Sequence, residues 1–196
     1  MVLVGLLFSL SAGVRITLPL LALNQLAANH IITLPSNLVW MGSTPTLILL
    51  GVACVAETLV HFVPVVGTSV KAVSTPLAFV AGTLLMAVPL SEQTPIVQWT
   101  LAGLVGGGLA TFTHLGVTGA RTVSAPANVA SGGAFGIVWN FGEIFCALGL
   151  ALLGYLCLHV SWIFGVALLI VVFAMLAVMA AIAFKGWRRL TRMQPV

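Results

Sequence analysis

The sequence predicts an all-α integral membrane protein: about six transmembrane helices in one domain over residues 1–184, closed by a basic tail over 185–196. Three observations carry this. Hydrophobic residues make up 61% of the chain and charged residues 5%. A soluble domain carries about a quarter charged residues, so this chain cannot cover itself with a solvated surface. Apolar runs of the length that crosses hydrocarbon, ~20 residues, recur along the chain. Four of the seven bases (Lys185, Arg188, Arg189 and Arg192) stand in the terminal tail, as membrane-flanking cations do. The net charge of +4 therefore indicates a membrane boundary and not a nucleic-acid partner.

The spans follow in order. The first covers about residues 2–28, interrupted by Gly13-Val14-Arg15 and Pro19. The N-terminus lacks the basic region of a secretory signal, so the segment reads as a retained span. A polar link, 29–44, carries Pro35, Trp40 and Gly42, and the second span covers about 45–62. A Gly/Ser/Thr-rich link with Lys71 leads to a short third span, about 76–89. Ser91-Glu92-Gln93-Thr94-Pro95 is a turn, and the fourth span covers about 96–117. The stretch 118–133, with Arg121, Pro126, Asn128 and glycines, reads as an inner loop, with a re-entrant segment as the alternative. The fifth span covers about 134–157 and the sixth about 162–184.

Charge orients this arrangement. With both termini cytoplasmic, Lys71, Arg121 and the tail bases all lie inside and the outer links carry no Lys or Arg. The expected location is the inner (cytoplasmic) membrane, multi-pass. Trp40, Trp99, Trp162 and Trp187 fall at span ends, where aromatic belts form; Trp139 does not. Gly13-Val14-Arg15 with Pro19 loosely echoes Gly119-Ala120-Arg121 with Pro126, and a carboxylate follows in each half. The echo raises a 3+3 inverted repeat, an architecture of many transporters.

Ionisable residues inside spans are expensive, so they mark either function or a buried structural pair. Glu57 closes the charge-free run from Pro45, and His61 lies four residues on, sharing its helical face. Glu143 sits within the fifth span, and Arg15 is the one base in a span interior, so it is expected to pair with Glu57 or Glu143. His114 and Arg121, seven residues apart, share one side of the fourth span. Arg15, Glu57, His61, His114, Arg121 and Glu143 are therefore the candidate transport or polar-cluster residues. The bland alternative is a single structural ion pair, with His61 and Arg121 as interface anchors.

Nothing in the sequence points to catalysis, a metal or a cofactor. There is no HExxH, no GxSxG and no carboxylate cluster suited to Mg²⁺, and Gly106-Gly107-Gly108 lacks the lysine of a phosphate loop. Cys54, Cys146 and Cys157 lie in apolar runs without CxxC spacing and read as small packing residues. Gly103, Gly106, Gly107 and Ala110 permit close helix packing.

The order Gly13-x-Arg15, Leu18-Pro19-Leu20-Leu21, Glu57 with Pro64 seven later, then Pro76 and Gly82, resembles an uncharacterised bacterial family of small polytopic membrane proteins, classed as a domain of unknown function. Gly107, Ala110, His114, Arg121, Gly132-Gly133 and Glu143 continue the match. Where that family carries Glu-x-x-x-Asp-Lys-x-Pro, this chain has Glu57, His61, Phe62 and Pro64, and acidic positions further on are replaced by Gly67 and Lys71. The resemblance implies a membrane location and a similar helical fold, and no activity.

The leading functional expectation is a small transporter or channel-like protein with a buried Arg/Glu/His cluster. Glu57 and Glu143 would exchange a proton or cation beside Arg15. The alternative is a non-catalytic subunit or assembly factor of a larger membrane complex, and an intramembrane enzyme ranks third. The expected partners are the lipid bilayer and either further copies of the chain or a larger complex, with no nucleic acid.

Overall fold

The computed structural model describes residues 2–60 and 67–159, with the side chains of 67–72, 127, 158 and 159 outside that description. His61, the sixth span, the basic tail, Trp162 and Trp187 lie outside the described residues, as does the side chain of Lys71. Every regular element among the described residues is helical: α1 Val2–Val14, α2 Thr17–Ala28, a 3₁₀ helix Ser36–Gly42, α3 Thr44–Val60, α4 Gly67–Ala87, α5 Pro95–Leu101, a π segment Ala102–Gly107, α6 Gly108–Ala130 and α7 Ala134–His159.

Pro95–Pro126 and Ala134–Cys157 are long and apolar enough to cross a membrane. The 3₁₀ helix and α3, bent by 60° at their junction, make a third if taken together. Val2–Val14, Thr17–Ala28 and Val73–Ala87 are shorter apolar helices. An apolar helical set of this kind is that of an α-helical membrane protein.

The first segment is not a single continuous helix. Val4 and Phe8 of α1 line one cavity together with Leu23 and Leu26 of α2. In a straight helix, Val4 and Leu26 would stand about 33 Å apart. The chain instead folds back at Arg15–Ile16, and α1 and α2 form a helical hairpin. The sequence marks the break: Pro19 lies in the first turn of α2, where its missing N–H costs nothing. At the open end, His30 closes α2 in the left-handed conformation (φ 56°), and its N–H donates to the Ala27 carbonyl at 3.0 Å.

The other helices hold the hairpin along its length. Ser9 Oγ donates to the Gly82 carbonyl of α4 at 3.0 Å, and Ser11 Oγ to the Ala147 carbonyl of α7 at 2.8 Å. Gly13 lets α1 approach α6 closely: a Cβ there would lie 2.5 Å from the Ala110 carbonyl oxygen. Behind it, α4 crosses the π segment at Gly82 and Gly106, where a Cβ on either would run into the other's backbone. Asn24 Nδ2 donates to the carbonyls of Met41 (2.5 Å) and Ser43 (3.1 Å), so the start of α3 is fixed beside the end of α2.

The tip of the hairpin ends inside the bundle. Ser74 and Glu143 stand at its level. Gly67 and Ala134, where α4 and α7 begin, lie roughly 10–14 Å further on at 1.5 Å per residue. Val2 and Gly67 therefore lie on opposite faces of the bundle. The first apolar run, expected as one interrupted span, thus holds two helices that fold back on each other.

Two further expectations change. The helix at the third apolar run starts earlier than expected, because α4 begins at Gly67 and carries Pro76 in its interior. The stretch 118–130 is helix and not loop. Its hydroxyls back-bond to helix carbonyls, Thr122 Oγ1 to Thr118 at 3.0 Å and Ser124 Oγ to Arg121 at 3.1 Å, so the polar groups that resembled a loop are satisfied within the helix. The real turn is Ser131–Gly133, with Gly132 and Gly133 at φ 61° and 92°. Ser131 Oγ and Asn128 Oδ1 cap α7 by accepting the N–H groups of Phe135 (3.0 Å) and Gly136 (2.7 Å). The echo between the two Gly-x-Arg stretches is not matched in local structure, since Arg15 stands at a break between two helices and Arg121 in a helix interior.

Candidate functional site

Breaking a helix inside a bundle frees carbonyls on one side of the break and N–H groups on the other. Among apolar neighbours both sets need partners. The polar residues around Arg15–Ile16 supply them.

At the start of α2 no side chain of the hairpin caps the helix. Glu57, from α3, does so instead. Its Oε1 accepts the Ile16 N–H at 3.1 Å, and its Oε2 accepts the Thr17 N–H at 3.1 Å and the Thr17 hydroxyl. An anion at a helix N-terminus is favoured by the helix dipole as well as by these bonds. At the end of α1, His114 Nδ1 lies 3.3 Å from the Gly13 carbonyl, and its Nε2 lies 3.0 Å from Ser74 Oγ. A carbonyl only accepts, so Nδ1 carries the proton; in the neutral ring, Ser74 then donates to Nε2.

Arg15 follows the last residue of α1 and is 1% exposed. It donates through Nη2 to Asn140 Oδ1, and its Nε lies 3.6 Å from Glu143 Oε2. Glu143 also accepts from Arg121 through both carboxylate oxygens, with Nε to Oε1 at 2.5 Å and Nη2 to Oε2, and from the Trp139 indole N–H at 2.6 Å. Glu143 and Glu57 both attract the Arg15 cation. Two cations and two carboxylates thus meet around the hairpin tip with no net charge. Fork geometry and extra donors are what make such a buried pair tolerable.

The signs are sorted by the break itself. The C-terminal end of α1 carries partial negative charge and faces Arg15 and His114. The N-terminal end of α2 carries partial positive charge and faces Glu57. Arg15, Glu57, His114, Arg121 and Glu143 are brought together, and His61 lies outside the described residues.

The family model for a domain of unknown function, DUF4126, matches residues 2–181. The chain belongs to this family. No curated protein and no solved structure matches it. Membership agrees with the expected resemblance, and the match takes in the whole hairpin, its tip and both carboxylates.

Three contributors were not singled out from the sequence, Thr17, Ser74 and Asn140, and Trp139 stood out there only as the tryptophan outside the aromatic belts. Two carried a usable signal. Trp139 and Asn140 lie four and three residues before Glu143, on its helical face. An indole N–H in the middle of an apolar span needs a nearby acceptor, which accounts for the tryptophan that fits no aromatic belt. Ser74 and Thr17 carried none, because their partners come from other helices. Among the described residues there is no grouping of His, Cys, Asp or Glu suited to a metal ion.

Proposed function

We propose that this DUF4126-family chain is a small transporter or channel-like protein of the cytoplasmic membrane, with the hairpin tip at the centre of its pathway. The observation that supports this reading is the discontinuous first segment: two short helices that meet inside the bundle, with charged side chains against their buried ends. Transporters place such broken helices, ion-binding and dipolar, at mid-membrane sites. In this role Glu57 and Glu143 exchange a proton or cation, and Arg15 and Arg121 serve as their counter-charges.

The orientation that goes with this reading keeps Lys71, Arg121 and the basic tail on the cytoplasmic side. The hairpin then enters from the outer face, with the N-terminus outside. Five crossings follow, the last of them over about 162–184, and the C-terminus is cytoplasmic.

A second reading is carried by the completeness of the bonding at Glu143, which suits a rigid element of a subunit in a larger membrane complex. Proton flux separates the two. In proteoliposomes loaded with a pH-sensitive dye and driven by a potassium diffusion potential, the native chain conducts protons above the protein-free rate, and Glu57→Gln returns flux to that rate while its elution and thermal unfolding stay those of a folded protein. Native flux equal to protein-free vesicles, or undiminished flux in Glu57→Gln, rejects the transport reading.

A further inference from the structure

Glu92 is the one carboxylate that takes no part in the hairpin-tip cluster. It lies on the rim of a cavity of about 250 Å³ at the open end of the hairpin. Phe8, Leu23 and Leu85, from three different helices, form its apolar wall with Val88 just past the end of α4, while Thr33, Ser91 and Glu92 edge it with polar groups. No Lys or Arg lines it, and among the described residues Glu92 makes no ion pair. The exposed Trp40 and Trp99 stand on the neighbouring 3₁₀ helix and α5, as side chains at a membrane interface do. The volume is just below the ~300 Å³ at which sites for drug-sized ligands begin, so the cavity takes one alkyl chain or a small ring.

We propose that this cavity binds an amphiphile with a cationic ammonium head, its apolar portion between α1, α2 and α4 and its head against Glu92. The inference is independent of the transport reading, since the cavity opens at the far end of the hairpin from Arg15 and Glu57. The chemistry is that of an ammonium group on an apolar tail, whether it comes from a lipid headgroup or from a free amine.

The test is native mass spectrometry of the full chain released from uncharged maltoside micelles, with dodecyltrimethylammonium as probe and dodecyl sulfonate as the anionic control. One dodecyltrimethylammonium is retained per chain, and the sulfonate is not. Glu92→Gln lowers retention of the cation about tenfold, as expected for loss of a single complementary charge, and Val88→Trp, which fills the cavity, removes it. Both variants unfold at the native temperature. Competition by phosphatidylethanolamine identifies the lipid headgroup as the source, and its absence identifies a free amine. Equal retention of cation and sulfonate, or a Glu92→Gln variant that binds like the native chain, overturns the proposal.

Discussion

The indole N–H of Trp139 donates to Oε1 of Glu143, one helical turn further along α7, at 2.6 Å. The bond makes the tryptophan part of the ion cluster. Trp139→Phe keeps an aromatic ring but removes the donor and part of the indole surface. Glu143 retains both bonds from Arg121, so loss of one hydrogen bond to a charged group contributes about 1.5–3 kcal/mol, and the smaller ring adds to it. Thermal unfolding in detergent reads this as a lowered midpoint, and Trp139→Tyr at this position gives no rescue beyond Phe unless its hydroxyl reaches the carboxylate.

Glu57→Ala removes the acceptor for three donors at the start of α2. The expected loss is ~1–2 kcal/mol, the range of a helix cap. The change is local. Hydrogen exchange at the Ile16 and Thr17 amides accelerates, and exchange in α7 stays native. Uniform acceleration across all helices would contradict the capping role.

Arg15 and Glu143 are coupled. Breaking a buried pair from one side costs ~3–5 kcal/mol because a charge is left without its partner. Arg15→Met therefore destabilises strongly. Arg15→Met combined with Glu143→Gln is less damaged than the sum of the two changes. A double-mutant cycle on unfolding free energies measures the difference, and strict additivity would show that Arg121 and Trp139 support Glu143 without Arg15.

Gly82 sits where α4 meets the backbone of the π segment. Gly82→Ala places a methyl group on the Gly106 carbonyl, and main chain cannot swing aside as a flexible side chain can. The expected cost is ~1–3 kcal/mol, the range for overpacking. Gly51→Ala, on α3 with open space around it, leaves the unfolding midpoint unchanged or raises it.

The fold-back at Arg15–Ile16 is tested by side-specific labelling. In a chain with Cys54, Cys146 and Cys157 replaced, Val2→Cys and Asn29→Cys react with an impermeant maleimide from the same face of the membrane, and Ser131→Cys reacts from the other. Labelling of Val2→Cys and Asn29→Cys from opposite faces would restore a single crossing.

Apolar composition made the membrane class legible, and the start of the fifth span was legible too: about 134–157 from sequence, α7 from Ala134 to His159 in the fold. Arg15, Glu57, His114, Arg121 and Glu143 were legible as candidates because charge in an apolar run is conspicuous. The hairpin was not. Hydropathy is blind to chain direction, so two half-length helices that fold back score as one interrupted span. The helical stretch 118–130 was misread because hydroxyls that bond within their own helix look, in sequence, like loop residues. That Glu57 caps the backbone N–H groups of Ile16 and Thr17 follows from the break, which composition cannot reveal.

Helix α3 has no fully buried residue among the described ones, and Ile48, Leu49, Val52, Val55 and Leu59 are all exposed. Its polar attachments lie at its two ends: Asn24 on the carbonyls that precede it, and Glu57 on the start of α2. Mechanically, it is a rod pinned at two points. A rod of this kind resists sliding along its axis far more than it resists bowing. Force that reaches α3 from the bilayer is delivered to the Glu57 pin, and hence to the one place where the first segment has no continuous helix to oppose it.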